Sequence, residues 1–183
     1  MNNYFDAAVV GGGIIGLASA YYLGKANQRV VVIEGKEFGA GASGACDEMI
    51  LLQSKKPGVV LELALESLEI YKSLPDELGI DIEFHNRGGV ILIENIEQLD
   101  IMEEFVNSQR ACGLDVRLID RAQVIKLHPH VNPGIIASTY SPLDSQVSPL
   151  KLMFGFLKKA REQGACIRKG TPVTGIERSG TRW

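Results

Sequence analysis

The chain has 183 residues, 45% hydrophobic and 22% charged, with a net charge of −3 at pH 7. That balance suits a soluble globular protein with enough apolar matter for a core, and its mild acidity argues against a nucleic-acid partner. Cys46, Cys112 and Cys166 lie far apart, match no metal-site spacing and leave an odd thiol, which reads as a reducing, cytoplasmic compartment. No apolar run reaches the roughly 18 residues of a transmembrane span, and Met1 to Asp6 lacks the basic start of a signal peptide.

The first predicted elements are a strand over 7–10, a glycine turn, a helix over 14–23 and a second strand over 30–33. In the turn, Gly11 permits the tight reversal, Gly13 lets a pyrophosphate approach the backbone, and Gly16 lets the helix lie close on the sheet, with Ala20 one turn on. The helix N-terminus then offers free N–H groups and a positive dipole end to a diphosphate. Val30 to Ile33 are all β-branched, as in a strand buried on both faces, and they deliver Glu34 where a ribose would lie. A carboxylate there accepts hydrogen bonds from ribose hydroxyls and repels a 2′-phosphate. Strand, turn, helix, strand and acid agree, which a lone glycine motif does not do.

The loop that follows, Gly39 to Ala45, is made only of small residues. Such composition also makes linkers, but directly after a ribose-binding acid it suits a backbone lying against an extended ligand, with Ser43 and the loop N–H groups facing its oxygens. A helix is predicted over 59–74, with Leu61, Ala64, Leu65 and Leu68 on one stripe and Pro75 as its stop. Ile80, Ile82 and Phe84 alternate with Asp81, Glu83 and His85 in the period of a half-buried strand, and 90–93 reads as a second strand, joined to the first as a hairpin through Arg87-Gly88-Gly89.

Ile96, Leu99, Met102, Phe105 and Val106 mark an amphipathic helix ending before Gly113. A strand over 116–119, a capping box of Asp120 with Gln123, and a strand over 135–140 follow. Ser148-Pro149 starts a helix whose stripe is Leu152, Met153, Phe156, Leu157 and Ala160, with Gly164 at its end. Strands over 166–168 and 173–177 complete the series.

Some groups invite over-reading. His128-Pro129-His130 has no third ligand nearby, so no metal site is assigned. Cys46 reads as inert packing, and Asp144, ahead of Gln146-Val147-Ser148-Pro149, as part of a turn and helix start.

Val9 to Glu34, the loop FGAGASGACDEM from Phe38 to Met49, Leu52 to Gly58, Arg87-Gly88-Gly89 and Tyr140 to Pro149 together resemble the D-amino-acid-oxidase-like FAD-dependent oxidoreductases, and within them the glycine oxidase, sarcosine oxidase and hydrogen cyanide synthase branch. Such enzymes are about twice this length. The resemblance implies an α/β fold with an incomplete Rossmann-like FAD-binding domain, 1–75 and 146–183, and an inserted α+β portion of a substrate domain, 76–145. It implies FAD as cofactor, contacted by Gly11, Gly13, Ile14, Ile15, Gly16, Glu34, Gly35, Ala42, Ser43, Asp47, Glu48, Met49 and Val173. Val173 would lie on the adenosine side, and Met49 would approach the flavin ring and the substrate pocket.

Asp47 and Glu48 stand where the family usually carries small residues, and a negative charge there would disfavour an anionic reduced flavin. Their carboxylates are expected to point away. The chemistry implied is oxidation of the C–N bond of a small amino acid or amine of the glycine, sarcosine, D-amino-acid or opine type. The groups that bind the substrate carboxylate come mostly from the family's later half, so no catalytic residue is assigned.

Ile176 to Gly180 reads as a hairpin entered, and the strand that closes the flavin crevice in the family is not found before Trp183. Three expectations stand: part of a longer FAD enzyme, a catalytically silent FAD-binding fragment or subunit that needs a partner chain, and a nicotinamide-binding Rossmann protein. The resemblance leaves both a homo-oligomer and a hetero-oligomer open.

Overall fold

The computed structural model describes residues 4–178 and 180, and these divide into two compact units. The first holds the residues up to Glu48, Pro75–Ile82 and the residues from Ser148 onward, and the second holds Met49–Leu74 and Glu83–Val147.

The first unit is built on a parallel sheet. Strand β1 (Ala7–Val10) leads through the glycine turn into helix α1 (Ile14–Lys25), and β2 (Val30–Ile33) returns beside β1. Val30, Val31 and Val32 are all buried, as a central parallel strand requires. Much later in the chain, α5 (Pro149–Glu162) and β9 (Cys166–Arg168) repeat the helix-strand step, and β9 pairs in parallel with β2, giving the order β1-β2-β9. Helices α1 and α5 pack together through Tyr21 and Phe156, whose ring centroids are 5.5 Å apart. The Tyr21 hydroxyl donates to Glu77 at 2.6 Å, and Lys25 pairs with the same carboxylate. Burial first, then the bond to Glu77, pushes the Tyr21 hydroxyl up to about 12.

In the second unit, a two-residue strand β3 (Met49–Ile50) and helix α2 (Val59–Leu78), whose residues from Pro75 on count with the first unit, precede β4 (His85–Asn86) and β5 (Gly89–Ile93). Helix α3 (Ile96–Ala111), β6 (Arg117–Asp120), α4 (Arg121–Leu127), β7 (Ala137–Ser141) and β8 (Ser145–Gln146) follow. Two antiparallel sheets result, β5-β7-β6 and β3-β8-β4. Leu52, Leu61, Leu68, Val106, Leu114 and Val116 form its main core, and Ile119, Val124 and Ile135 a smaller one.

Asp144 lies fully buried beside that core. It accepts from the Leu52 N–H at 2.8 Å, the Gln53 N–H at 3.3 Å and Gln53 Nε2 at 2.6 Å. Gln53 Oε1 in turn accepts from the Thr139 hydroxyl, and Gln109 Nε2 donates to the carbonyls of Gln53 and Lys55 at 3.0 and 2.8 Å. Burial pushes the Asp144 carboxyl above its ordinary value, against the pull of the Gln53 and Leu52 donors.

Several elements differ from their sequence-based expectation. Helix α2 runs through Pro75 to Leu78, because Leu74 and Leu78 are buried on either side of it and their burial offsets the one lost backbone bond. The 49–74 segment belongs to the second unit rather than to the 1–75 block, since Leu61 and Leu68 complete a core with Val106, Leu114 and Val116. No hairpin joins β4 to β5: β4 pairs with β8 and β5 with β7. The Gly88 N–H donates to the Asp144 carbonyl at 3.0 Å, so the Arg87-Gly88-Gly89 turn hands the chain from one sheet to the other.

Ile82 is buried between exposed Asp81 and Glu83 as the alternation required, yet only His85–Asn86 is paired as a strand. Residues 173–177 form no strand and are exposed. Ser148 stands at the N-cap of α5 without a side-chain capping bond, and Pro149 follows at the first helical position. The Asp120 and Gln123 capping box is present in full, as are the glycine turn, α1, β2, α3 and β9.

Candidate nucleotide site

Helix α1 starts directly out of the glycine turn, with Gly13 as an N-cap that has no side chain to close the first turn. The Ile14 N–H donates instead to the Ser43 hydroxyl at 3.0 Å, so a residue from the small-residue loop caps the helix from a distance. A Cβ on Gly13 would come within 3.0 Å of that same hydroxyl, and one on Gly16 would run into the carbonyl oxygen of Gly11. Glycine at 16 lets the helix start lie this close to the turn, and glycine at 13 spares the Ser43 hydroxyl a small shift.

Opposite the helix start, the end of β2 supplies Glu34. Its Oε2 accepts from the Gly12 N–H at 2.6 Å and its Oε1 from the Lys36 N–H at 2.6 Å. These bonds, that of Gly12 foremost, hold the Glu34 carboxyl below the ordinary carboxylate value. Residues 11–13, Glu34, Lys36, Glu37 and residues 39–43 line a cleft of about 300 Å³. Its walls are main-chain groups, small side chains, the Glu34 and Glu37 carboxylates and the Lys36 side chain. Such a lining can receive a diphosphate through N–H groups and a sugar through the Glu34 carboxylate.

Of the residues singled out from sequence, Gly11, Gly13, Glu34, Ala42 and Ser43 line this cleft. Ile14 contributes its N–H, and Gly16 sits behind the turn. The Ile15 side chain is 81% exposed on α1. Gly35 lies against Pro172, and the Thr171 N–H donates to the Glu34 carbonyl at 2.8 Å, which places 171–172 beside the end of β2, with the exposed Val173 next in the chain. Asp47 and Glu48 follow the short 3-10 turn Ala42–Gly44 and are exposed, with Glu48 at φ 67°. Met49 opens β3 in the other unit, paired with Gln146.

The sequence places Gly12 in the turn but not among the cofactor contacts, although its N–H is the main donor to Glu34 and a Cβ there would collide with the Phe38 ring. A fourth glycine inside the motif and an aromatic residue shortly after the acid were the available signals. Lys36 and Glu37 were also missed as cleft residues. Among the described residues, no group of three or more His, Cys, Asp or Glu could hold a metal ion, and no helix is long and apolar enough to cross a membrane.

A parallel strand-helix-strand unit with a glycine turn at the helix start and an acid at the end of the second strand defines a Rossmann-type α/β protein. The family model for FAD dependent oxidoreductases, DAO, matches residues 6–183, and the chain belongs to that family. Over 190 residues it is 32% identical to the glycine oxidase of Bacillus licheniformis, covering 97% of this chain and 48% of that protein. It is 28% identical to hydrogen cyanide synthase subunit HcnC of Pseudomonas aeruginosa, covering 100% of this chain and 53% of the other. The crystal structure of glycine oxidase from Geobacillus kaustophilus matches with a TM-score of 0.89 at 31% identity, over 94% of this chain and 48% of that one. The chain spans about half the length of the curated relatives it matches. FAD is the cofactor of the family, which sets aside the nicotinamide reading.

Proposed function

We propose that this chain supplies the FAD-binding half-site of an oxidoreductase that oxidises the C–N bond of a small amino acid or amine, of the glycine, sarcosine, D-amino-acid or opine type. The observation that carries this is the cleft in which Glu34 and the start of α1 face one another, in a chain of this family. The Glu34 oxygens meet the ribose hydroxyls. The N–H groups at the start of α1 and the Ser43 hydroxyl meet the diphosphate, and Gly35 and Val173 flank the adenosine. Asp47 and Glu48 reach the cofactor through their backbones, keeping their charges away from the ring.

When bound, FAD accepts a hydride from the carbon next to the substrate nitrogen. The residues named here bind and orient it; none is assigned a catalytic role. A second reading, a catalytically silent FAD-binding subunit that works with a partner chain, is favoured by the match to hydrogen cyanide synthase subunit HcnC, a relative named as a subunit.

Titration with FAD, ADP, FMN and NAD tests the site. FAD and ADP should compete while FMN, which lacks the adenosine, should not, and Glu34→Ala should weaken FAD binding about tenfold through the lost ribose contact. Binding of NAD without FAD would overturn the proposal. Anaerobic addition of glycine, sarcosine, D-proline and an opine then separates the two readings. The 183-residue chain alone is expected to hold FAD weakly and to reduce it with none of these, whereas rapid bleaching by one of them would identify the substrate and remove the silent-subunit reading.

A further inference from the structure

Helix α2 turns an apolar stripe outward. Val59, Leu63 and Ile70 recur at helical spacing on one side of it, and they are 69%, 60% and 47% exposed. The other side carries Leu61 and Leu68 into the core. Glu62, Glu66 and Glu69 run along the edge of the stripe, all of them exposed. Glu69 pairs with Lys72 at 2.6 Å, whereas Glu62 and Glu66 form no ion pair among the described residues.

Helix α5 shows the converse pattern. Its inner side buries Leu152, Met153, Phe156 and Ala160, while Leu150 and Phe154, one turn apart on the outer side, are 48% and 51% exposed. Lys151, Lys158 and Arg161 flank them, again all exposed. Lys158 comes no nearer to Glu162 than 4.0 Å, and Arg161 pairs with no carboxylate among the described residues. Neither stripe takes part in the nucleotide cleft, whose lining comes from 11–13, 34, 36, 37 and 39–43.

We propose that the outer face of α2 in one copy of the chain docks on the outer face of α5 in a second copy. Exposed apolar side chains in a row, rimmed by charge, have the make-up of a contact patch. Charge then selects the occupant: the acidic rim of the aliphatic stripe on α2 matches the basic rim around Leu150 and Phe154 on α5, and the same chain carries both. Docking α2 on α2 would set Glu62 and Glu66 against their own kind, and docking α5 on α5 would do the same with Lys158 and Arg161, so like faces repel. Each copy offers both faces, and two such contacts can close a dimer toward the standard interface size of about 1,600 Å² in total. The contact uses neither the glycine turn nor Glu34, so its failure and that of the FAD reading are separable.

Analytical ultracentrifugation of the full chain without flavin tests the surface. The parent chain should associate with rising concentration, and more weakly as ionic strength rises. Glu62→Lys with Glu66→Lys, and separately Lys158→Glu with Arg161→Glu, should each weaken association about tenfold or more. All four positions are exposed, so the circular dichroism of either double variant should stay that of the parent. Mixing the two double variants matches the reversed α2 with the reversed α5 and the unchanged α5 with the unchanged α2, and should restore the parent's affinity. Three results would overturn the proposal: a parent chain that stays monomeric, double variants that associate as tightly as the parent, or a mixture no tighter than either variant by itself.

Discussion

Around the first turn of α1, the first unit keeps side chains out. Around Asp144, the second unit packs them in. Gly16 admits the turn at a distance a Cβ would forbid, and the Glu34 carboxylate and Ser43 hydroxyl, which take the Gly12 and Ile14 N–H groups, border a cleft. In the second unit, Asp144, Gln53, Thr139 and Gln109 are all buried and bond to one another and to the backbone of 52–55, with Gln109 Oε1 left without a partner. The lesson is one of purpose. A site for a large polar ligand keeps its polar groups at the edge of a cleft, where a ligand can take up their remaining bonding capacity, while a framework buries its polar groups against one another and gains a single conformation.

The largest expected effect lies at the framework. Asp144→Ala leaves the Leu52 and Gln53 donors buried without an acceptor and should cost about 3 kcal/mol in urea unfolding. A cost below about 1 kcal/mol would show that the network does not hold the unit, and the contrast would lose its basis. Gly16→Ala comes next: with the Gly11 carbonyl in the way, overpacking should cost about 1–3 kcal/mol and weaken FAD binding, while amide exchange in the second unit stays as it was. Ser43→Ala removes the distant cap of α1 and should cost about 1 kcal/mol. An Ile14 amide that exchanges no faster in that variant would assign the cap elsewhere.

The smallest effect is in pH dependence, and here the two carboxylates should differ in sign. The folded-state pKa of Glu34 is lowered, so its contribution to stability is present above the ordinary carboxylate pKa and is lost as pH falls through the folded value. That of Asp144 is raised, because burial favours the neutral acid; its contribution is complete below the ordinary carboxylate pKa and is lost as pH rises through the folded value. Unfolding of Glu34→Gln and Asp144→Asn against the parent protein, followed across the acid range, should therefore give difference curves of opposite slope. Parallel slopes would contradict the assignment of either group.

Much of the first unit was legible because each of its signals is local. Gly11, Gly13 and Gly16, the β-branched run 30–33 and Glu34 lie within one strand-helix-strand stretch whose geometry follows from backbone rules. The Asp120 and Gln123 capping box was legible for the same reason, since its two bonds span three residues. Asp144 was not. Its partners, Leu52 and Gln53, are more than ninety residues away in the chain, and a short run ending in Ser-Pro looks the same whether its acid is solvated or buried. The hairpin expectation failed similarly: Arg87-Gly88-Gly89 is a sound turn signal, but the partners of the flanking strands, β8 and β7, come from far downstream.

Sequence alone determined the class of this protein, because a glycine turn between a strand and a helix, with an acid closing the next strand, leaves the backbone few conformations and the resulting N–H array few ligands. Tertiary structure alone decided that Pro75 lies inside a helix, that residues 49–74 pack with the second unit, and that Ser43 caps α1. It also showed that β1 ends its sheet with Ala8 and Val10 exposed. Each of these depends on which distant surface covers a residue, and burial by a partner far along the chain outweighs the propensities that a local reading weighs.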